Sequence, residues 1–291
     1  MTFKRPFEIV TTTAGATSIK DMAGGEIIHN PVGPWKESRT LYVKQSRLEE
    51  RLKMKAQDPM VLFDVGLGAG FNALASIEVA QTLLERSSLN RKLHILSFES
   101  DMGLFDFMLE SLDSFPESKP YEKILKEFRK NSYFENEFLK WELKGKLTES
   151  LESTLPRWEI VFFDPYSPKV NPDSWTTPIF TALRKLGSAN LSGCLVTYSN
   201  ATRIRTAMLL GGFFVGQGET SGMKLETTFA GSTLEELQIP LGERWLLRWT
   251  RSHEALPLGN HNLSHKDIYE RLKAHPQFQN AILANFEEKR E

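Results

Sequence analysis

Two short stretches hold residue types whose spacing could do chemistry. The first is Asp164-Pro165-Tyr166-Ser167-Pro168-Lys169-Val170-Asn171-Pro172-Asp173-Ser174-Trp175, directly after the apolar run Trp158–Phe163. A carboxylate there can accept an N–H and aim the nitrogen lone pair. In-line displacement depends chiefly on such positioning. Tyr166 can stack on a base or pack against a cationic methyl group. Pro165 and Pro168 remove backbone donors and stiffen the loop. Asn171 and Asp173 are candidate N-caps for the helix expected next, and Trp175 can anchor that helix on the sheet. An aliphatic amine is protonated near neutrality, and neutralising it costs about 4–5 kcal/mol. Asp164 therefore helps only by orienting the amine or relaying its proton, because holding the ammonium alone would oppose transfer.

The second stretch is Asp64-Val65-Gly66-Leu67-Gly68-Ala69-Gly70, placed where an apolar run ends and a helical pattern begins. Ligands of open α/β sheets bind at the carboxyl ends of strands, beside such turns. Glycines allow close backbone approach. Glu99, at the end of the next strand, can accept hydrogen bonds from both ribose hydroxyls and repels a ribose phosphate. The spacing is G-x-G-x-G, whereas the dinucleotide fingerprint places its third glycine one residue later. The turn reads as a nucleoside site without a pyrophosphate, S-adenosylmethionine (SAM) rather than NAD. The bland alternative is glycines that only make a tight turn.

The elements that must position these groups follow from the apolar patterning. Met60–Asp64, Leu93–Phe98, Trp158–Phe163 and Gly193–Tyr198 read as buried strands. Helical patterns cover about 71–86, 102–113, 120–130, 174–186 and 201–210, and Phe213–Val215 and Met223–Phe229 read as late strands. Strands alternating with helices predict a Rossmann-like α/β fold with a mostly parallel, seven-stranded sheet. Before it, residues 7–44 read as short strands (Phe7–Val10, Glu26–His29, Thr40–Val43), and a short helix is expected over 45–55. The expected division is a β-rich extension at 1–58, a catalytic domain at 59–232 and a helical addition at 233–291.

With 40% hydrophobic residues the chain can build a core, and no uncharged apolar run is long enough to span a membrane. The start, MTFKRPFEIV, lacks the apolar stretch of a secretion signal, and Cys194 is a lone cysteine, so a reducing, cytoplasmic setting is expected. Basic and acidic residues balance, 36 against 37, which counts against binding nucleic acid through overall charge but leaves a local basic face open. Candidate phosphate contacts are Arg39, Lys44, Arg47, Arg51, Lys53, Lys55, Arg205 and Lys224. Arg244, Arg248 and Arg251 could share one helical face, with Trp245 and Trp249 one position over. Each of these arginines could equally be a solvated face, with the tryptophans in the core. His253, His261 and His265 are too loosely spaced for a metal site, and no metal is expected.

Residues 60–230 resemble the methyltransferase domain of the MnmC family, most specifically over 164–175. Asp164, Tyr166, Pro168, Asn171, Pro172, Asp173 and Trp175 fit that family's loop. Gly66, Gly68, Gly70 and Asn72 fit its first turn, and Ser97-Phe98-Glu99 its second strand. Thr197-Tyr198 with Ala201 and Arg205, and Gly222, Lys224 and Glu226, fit later segments. Gly145-Lys146 stands where the family has Gly-Asp, and Leu225 where it has Arg. The resemblance implies a class I methyltransferase acting on 5-aminomethyluridine at the tRNA wobble position. It would act without the flavin-dependent oxidase domain of two-domain members, on the tRNA anticodon region, with no second protein required. Asp64, Gly66, Gly68, Gly70, Asn72, Glu99 and Asp164 would then hold SAM, with Asp164 and Tyr166 catalytic. Pro168, Asn171, Trp175, Arg205, Lys224 and Glu226 would face the substrate. Two rival readings are a polyamine-type aminopropyltransferase and a non-catalytic tRNA- or partner-binding module on the same fold. The first needs more carboxylates than Asp164 and Asp173 supply in this loop, and Lys146 is the best support for the second.

Overall fold

The computed structural model describes residues 7–25, 27–28, 31–188, 192–220, 226–252, 255–259 and 262–279. The chain begins with a hairpin of β1 (Phe7–Thr11) and β2 (Thr17–Asp21). Of the strand expected at 26–29, positions 26 and 29 lie outside the described residues. Ile27 adds a single bridge to Lys20.

The strand expected at Thr40–Val43 is instead helical. Helical turns over Pro34–Glu37 run into a π-helix, Ser38–Lys44, and then a helix, Leu48–Lys53. Leu41, Tyr42 and Val43 are all buried, which alternation along a one-faced strand would not allow. A short apolar run fits either element, and here the groove beside the helix Phe71–Glu85 decides it.

The main sheet has nine strands: β3 (Met60–Val65), β4 (Leu93–Phe98), β5 (Tyr133–Glu135), β6 (Leu139–Leu143), β7 (Ile160–Phe163), β8 (Cys194–Thr197), β9 (Phe214–Gly218), β10 (Thr227–Gly231) and β11 (Ile239–Pro240). Their order is β11-β9-β10-β8-β7-β3-β4-β6-β5. The five strands from β8 to β6 are parallel, and β10 is antiparallel to both neighbours. The body has the expected number of seven strands, the six read from the sequence and the unforeseen β6, and β5 and β11 extend its edges in antiparallel pairing.

Alternation along the central strands sorts their side chains into two layers. Leu62, Ile95, Trp141 and Phe162 pack on the face that carries the helix Phe71–Glu85 and the 34–53 segment. Phe63, Val65, Leu96, Phe98 and Phe163 pack on the other face, with the helices Thr177–Leu186 and Thr202–Leu210. The same parity puts Asp64, Ser97 and Asp164 on the first face. At the opposite end of the strands, Arg91 and Glu159 form a buried, bidentate ion pair.

The C-terminal addition is helical at Glu243–Trp249, His265–Lys273 and Pro276–Gln279. Buried Gln277 accepts from Val215 N (2.7 Å) and donates to the carbonyls of Val215 (2.7 Å) and Leu241 (2.8 Å). No helix among the described residues is long and apolar enough to cross a membrane.

Candidate active site

The tips of β4, β3 and β7 are tied together by their own backbones. Gly66 N donates to Phe98 O (3.0 Å), and Asp164 N donates to Val65 O (2.8 Å). Gly66 has φ +83, and a Cβ there would lie 2.4 Å from the Asp164 carbonyl oxygen. Gly70, at φ +85, would meet the Phe105 ring at 2.9 Å. Two of the three glycines are therefore required by the protein's own packing. Gly68, at φ +53, has only an ordinary contact with Leu104. Its N–H donates to Glu99 Oε2 (3.3 Å), while Glu99 Oε1 accepts from the N–H groups of Ser100 (2.8 Å) and Asp101 (3.0 Å). Burial raises the Glu99 pKa, and these backbone donors oppose the shift.

Asp64 lies fully buried between these tips. Its Oδ2 accepts from Ser97 Oγ (2.7 Å), which accepts in turn from Trp141 Nε1 (2.9 Å). Its Oδ1 is buried without a partner. Burial pushes the Asp64 pKa up to about 7; the Ser97 bond opposes this, and the nearby Asp164 and Glu99 carboxylates add to it.

Asp164 is half-buried, and its Oδ2 accepts from Asn72 Nδ2 (2.8 Å). Ser38 Oγ donates to Asn72 Oδ1 (2.7 Å), which fixes which end of the Asn72 amide faces Asp164. Sequence reasoning missed Ser38 and its neighbour Tyr42, because their segment reads as a strand. The signal available was the run of buried-type residues Leu41-Tyr42-Val43 beside polar Ser38.

Trp175 is fully buried, edge-on to Phe163 (5.0 Å) and Tyr198 (5.8 Å). Its Nε1 donates to Tyr166 O (2.9 Å), and Tyr198 OH donates to Pro165 O (3.3 Å). Trp175 thus holds the loop from beneath, and the expectation that it faces substrate gives way. Tyr166 and Pro168 are half-buried along the loop, and so is Asn171. Asn171 makes no side-chain cap, and the helix expected to start at 174 starts at Thr177, after a 3-10 turn at Pro172–Trp175.

Arg205, expected on the substrate side, is turned inward and only 3% exposed. It donates to Glu226 Oε1 (2.8 Å), Thr228 Oγ1 (3.0 Å) and Thr227 O (2.9 Å), which clamps its helix to β10 and leaves it no phosphate to grip. Lys224 lies outside the described residues, as do Gly222 and Leu225. Lys146 is exposed, one residue past the positive-φ Gly145.

Among the other candidate cations, Arg39 pairs with Glu78 (3.1 Å) and Lys44 with Glu219 (3.2 Å). Lys53 pairs with Glu49, and Arg51 Nε donates to Ser46 O (3.0 Å). Arg47 and Lys55 are exposed. Arg244, Arg248 and Arg251 are exposed, whereas Trp245 and Trp249 are buried. His265 stacks on Trp249 (4.3 Å), and His253 and His261 lie outside the described residues.

Three carboxylates thus converge where a glycine turn meets an acidic loop, a setting for a cationic nucleoside. Residues 118–233 match the model of a family of S-adenosyl-L-methionine-dependent methyltransferases, and the sheet order is that of the class I fold. Over this stretch the chain is similar to that family, and the whole sheet, with the glycine turn and Glu99 ahead of the matched stretch, has the α/β fold of SAM-dependent methyltransferases, whose cofactor is SAM.

Its relatives include the tRNA 5-methylaminomethyl-2-thiouridine biosynthesis bifunctional protein MnmC of Pseudomonas putida strain W619. The two are 25% identical over 235 residues, covering 77% of this chain and 35% of the relative. MnmC of Aeromonas hydrophila is 24% identical over 242 residues, covering 77% and 35%. The chain spans about a third of the length of these curated relatives. The crystal structure of MNMC2 from Aquifex aeolicus covers 94% of this chain and 85% of its own, at 22% identity and a TM-score of 0.70, and so shares the fold.

The residues at the strand tips suit SAM. Asp64 offers a buried oxygen without a partner, Glu99 offers acceptors for hydroxyl donors, and the Gly68 position leaves room beside the backbone.

Proposed function

We propose that the protein methylates the primary amine of 5-aminomethyl(-2-thio)uridine at the tRNA wobble position, using SAM, in the cytoplasm. The observation that carries this reading is the packing of the Asp164 backbone directly on the Gly66 turn, with the Asp164 carboxylate fixed by Asn72. It sets an amine acceptor beside a nucleoside site. The names of the MnmC relatives, which specify a methylaminomethyl uridine, support the substrate.

When bound, SAM supplies an electrophilic methyl group on a sulfonium sulfur, which keeps the electron pair of the broken bond. Asp164 accepts an N–H of the amine and turns its lone pair toward the methyl-donor side. Tyr166 packs over the reacting centre. The lone pair is free once the ammonium has lost a proton, which the half-buried Asp164 relays to solvent, and the new C–N bond then leaves the nitrogen as a methylammonium. Glu226 borders the substrate side, with Arg205 holding it from within. The tRNA phosphates meet the exposed Arg244, Arg248 and Arg251. The catalytic unit is 59–232, flanked by 1–58 and 233–291.

The test incubates purified protein and methyl-labelled SAM with tRNA carrying unmethylated aminomethyluridine, or with putrescine. Label in the wobble nucleoside is expected. Label only in putrescine, or no heat of SAM binding by calorimetry, overturns the reading.

A further inference from the structure

Tyr42 belongs to the π-helix Ser38–Lys44, ahead of the methyltransferase sheet in the chain. It is 1% exposed, and its ring packs on Phe162 of β7 at 5.3 Å. Two residues beyond Phe162 the same strand face ends in Asp164. Tyr42 thus lies on the sheet face to which Asp164 belongs, and the Asp164 charge helps to raise the pKa of its hydroxyl. It is also a buried hydroxyl with no closed hydrogen bond of its own. Such a group is costly, and a phenylalanine would fill the same space without it. Its place beside Asp164, and not its packing, gives it a use.

We propose that Tyr42 is a positioning residue for the transfer: its unpartnered hydroxyl closes onto the Asp164 carboxylate that the Asn72 amide already holds, and steadies its ionised form during the reaction. This rests on the methyl-transfer reading above. Ser38 and Tyr42 lie four residues apart on one segment. Ser38 sets Asn72, Asn72 binds Asp164 Oδ2, and Tyr42 addresses the same carboxylate. The segment before the sheet therefore completes the site.

The hydroxyl acts as a donor and not as a base. Burial, with the charges of Asp164 and Glu37 and the neighbouring Tyr198, holds its pKa well above 10, so it keeps its proton throughout the working range. A donor stabilises the ionised carboxylate, the form that can accept an amine N–H. Across the strand tips Asp64 is a titratable group whose charge opposes that ionised form.

The test is Tyr42→Phe, which keeps the ring. We expect kcat to fall about tenfold or more, with KM for SAM and for tRNA within about twofold. The rising limb of kcat against pH moves to higher pH, and the melting temperature is unchanged or raised. In a second measurement, the Asp164 carboxyl is titrated by carbon NMR in both proteins without any substrate. Its pKa is expected to be higher in Tyr42→Phe. 3-Fluorotyrosine placed at position 42, a stronger donor of the same shape, shifts it the other way and serves if the Phe variant fails to fold.

An unchanged Asp164 titration overturns the proposal, as does wild-type kcat with a wild-type pH profile. If the wild-type protein labels no tRNA, the functional reading fails, while the NMR titration still decides whether Tyr42 governs Asp164.

Discussion

Gly66 and Asp164 touch through their backbones, with the Gly66 Cα so close that a methyl group would fall 2.4 Å from the Asp164 carbonyl oxygen. The glycine turn and the Asp164 loop are thereby packed directly on each other. Gly66→Ala must strain a φ of +83 and push the two loops apart, and about 2–4 kcal/mol of stability should be lost. Gly68→Ala has room for its methyl group and should cost about 1–2 kcal/mol, for the backbone alone. Thermal melts with calorimetry check the contrast: Gly66→Ala melts early, whereas Gly68→Ala loses SAM affinity while staying folded.

Asp164→Asn keeps the size and the acceptor that Asn72 addresses, but loses the charge. Methyl transfer should slow by about 10²–10⁴-fold. SAM affinity should stay within a few-fold. Single-turnover kinetics beside calorimetry separate the two, and a loss confined to SAM binding would contradict the assigned role.

Asp64 gives the site a pH dependence whose sign follows from burial. Its folded pKa, about 7, lies above the ordinary carboxylate value. Folding therefore takes up a proton between about pH 4 and 7, and stability falls as pH rises through that window. Asp64→Asn should flatten this fall in a series of melts. A ligand cation that binds beside Asp64 favours its ionised form. SAM affinity should thus rise from pH 6 to pH 8, with release of about one proton near pH 6, read as a buffer-dependent heat in calorimetry.

Arg244, Arg248 and Arg251 point outward while Trp245 and Trp249 fill the core. Replacing all three arginines with alanine should weaken tRNA binding across sequences. It should lower the salt slope of affinity by about 1 per phosphate contact removed. Methylation of a free aminomethyluridine nucleoside should stay unchanged.

The strand-turn-helix at 60–86 and the acid at 99 were legible because buried parallel strands read as unbroken apolar runs and the glycines mark the turn. Asp164 was legible for the same reason, as the first polar residue after such a run. β6 was not read, although Leu139-Lys140-Trp141-Glu142-Leu143 alternates, with Leu139 and Trp141 buried. Its charged alternate positions hid it beside the apolar strands. Arg205 looked like a phosphate ligand because a sequence displays charge without its partner, and Glu226 and Thr228 claim it only once β10 reverses next to the helix. Tyr42 was invisible as a site residue because its packing on Phe162, two residues before Asp164, spans more than a hundred positions and no local pattern encodes it.

Gln277 deals with a hazard common to open sheets. Beyond β9 the ladder continues only through the two residues of β11, and Gln277 then satisfies Val215 and Leu241 with a single amide side chain. A side chain in that place imitates a neighbouring strand without offering a further one, so Val215 and Leu241 present no free groups there for a second molecule to extend. Cutting the chain ahead of Pro276 would unmask that margin, and the shortened protein would be prone to self-association at its rim while its catalytic crevice stayed intact.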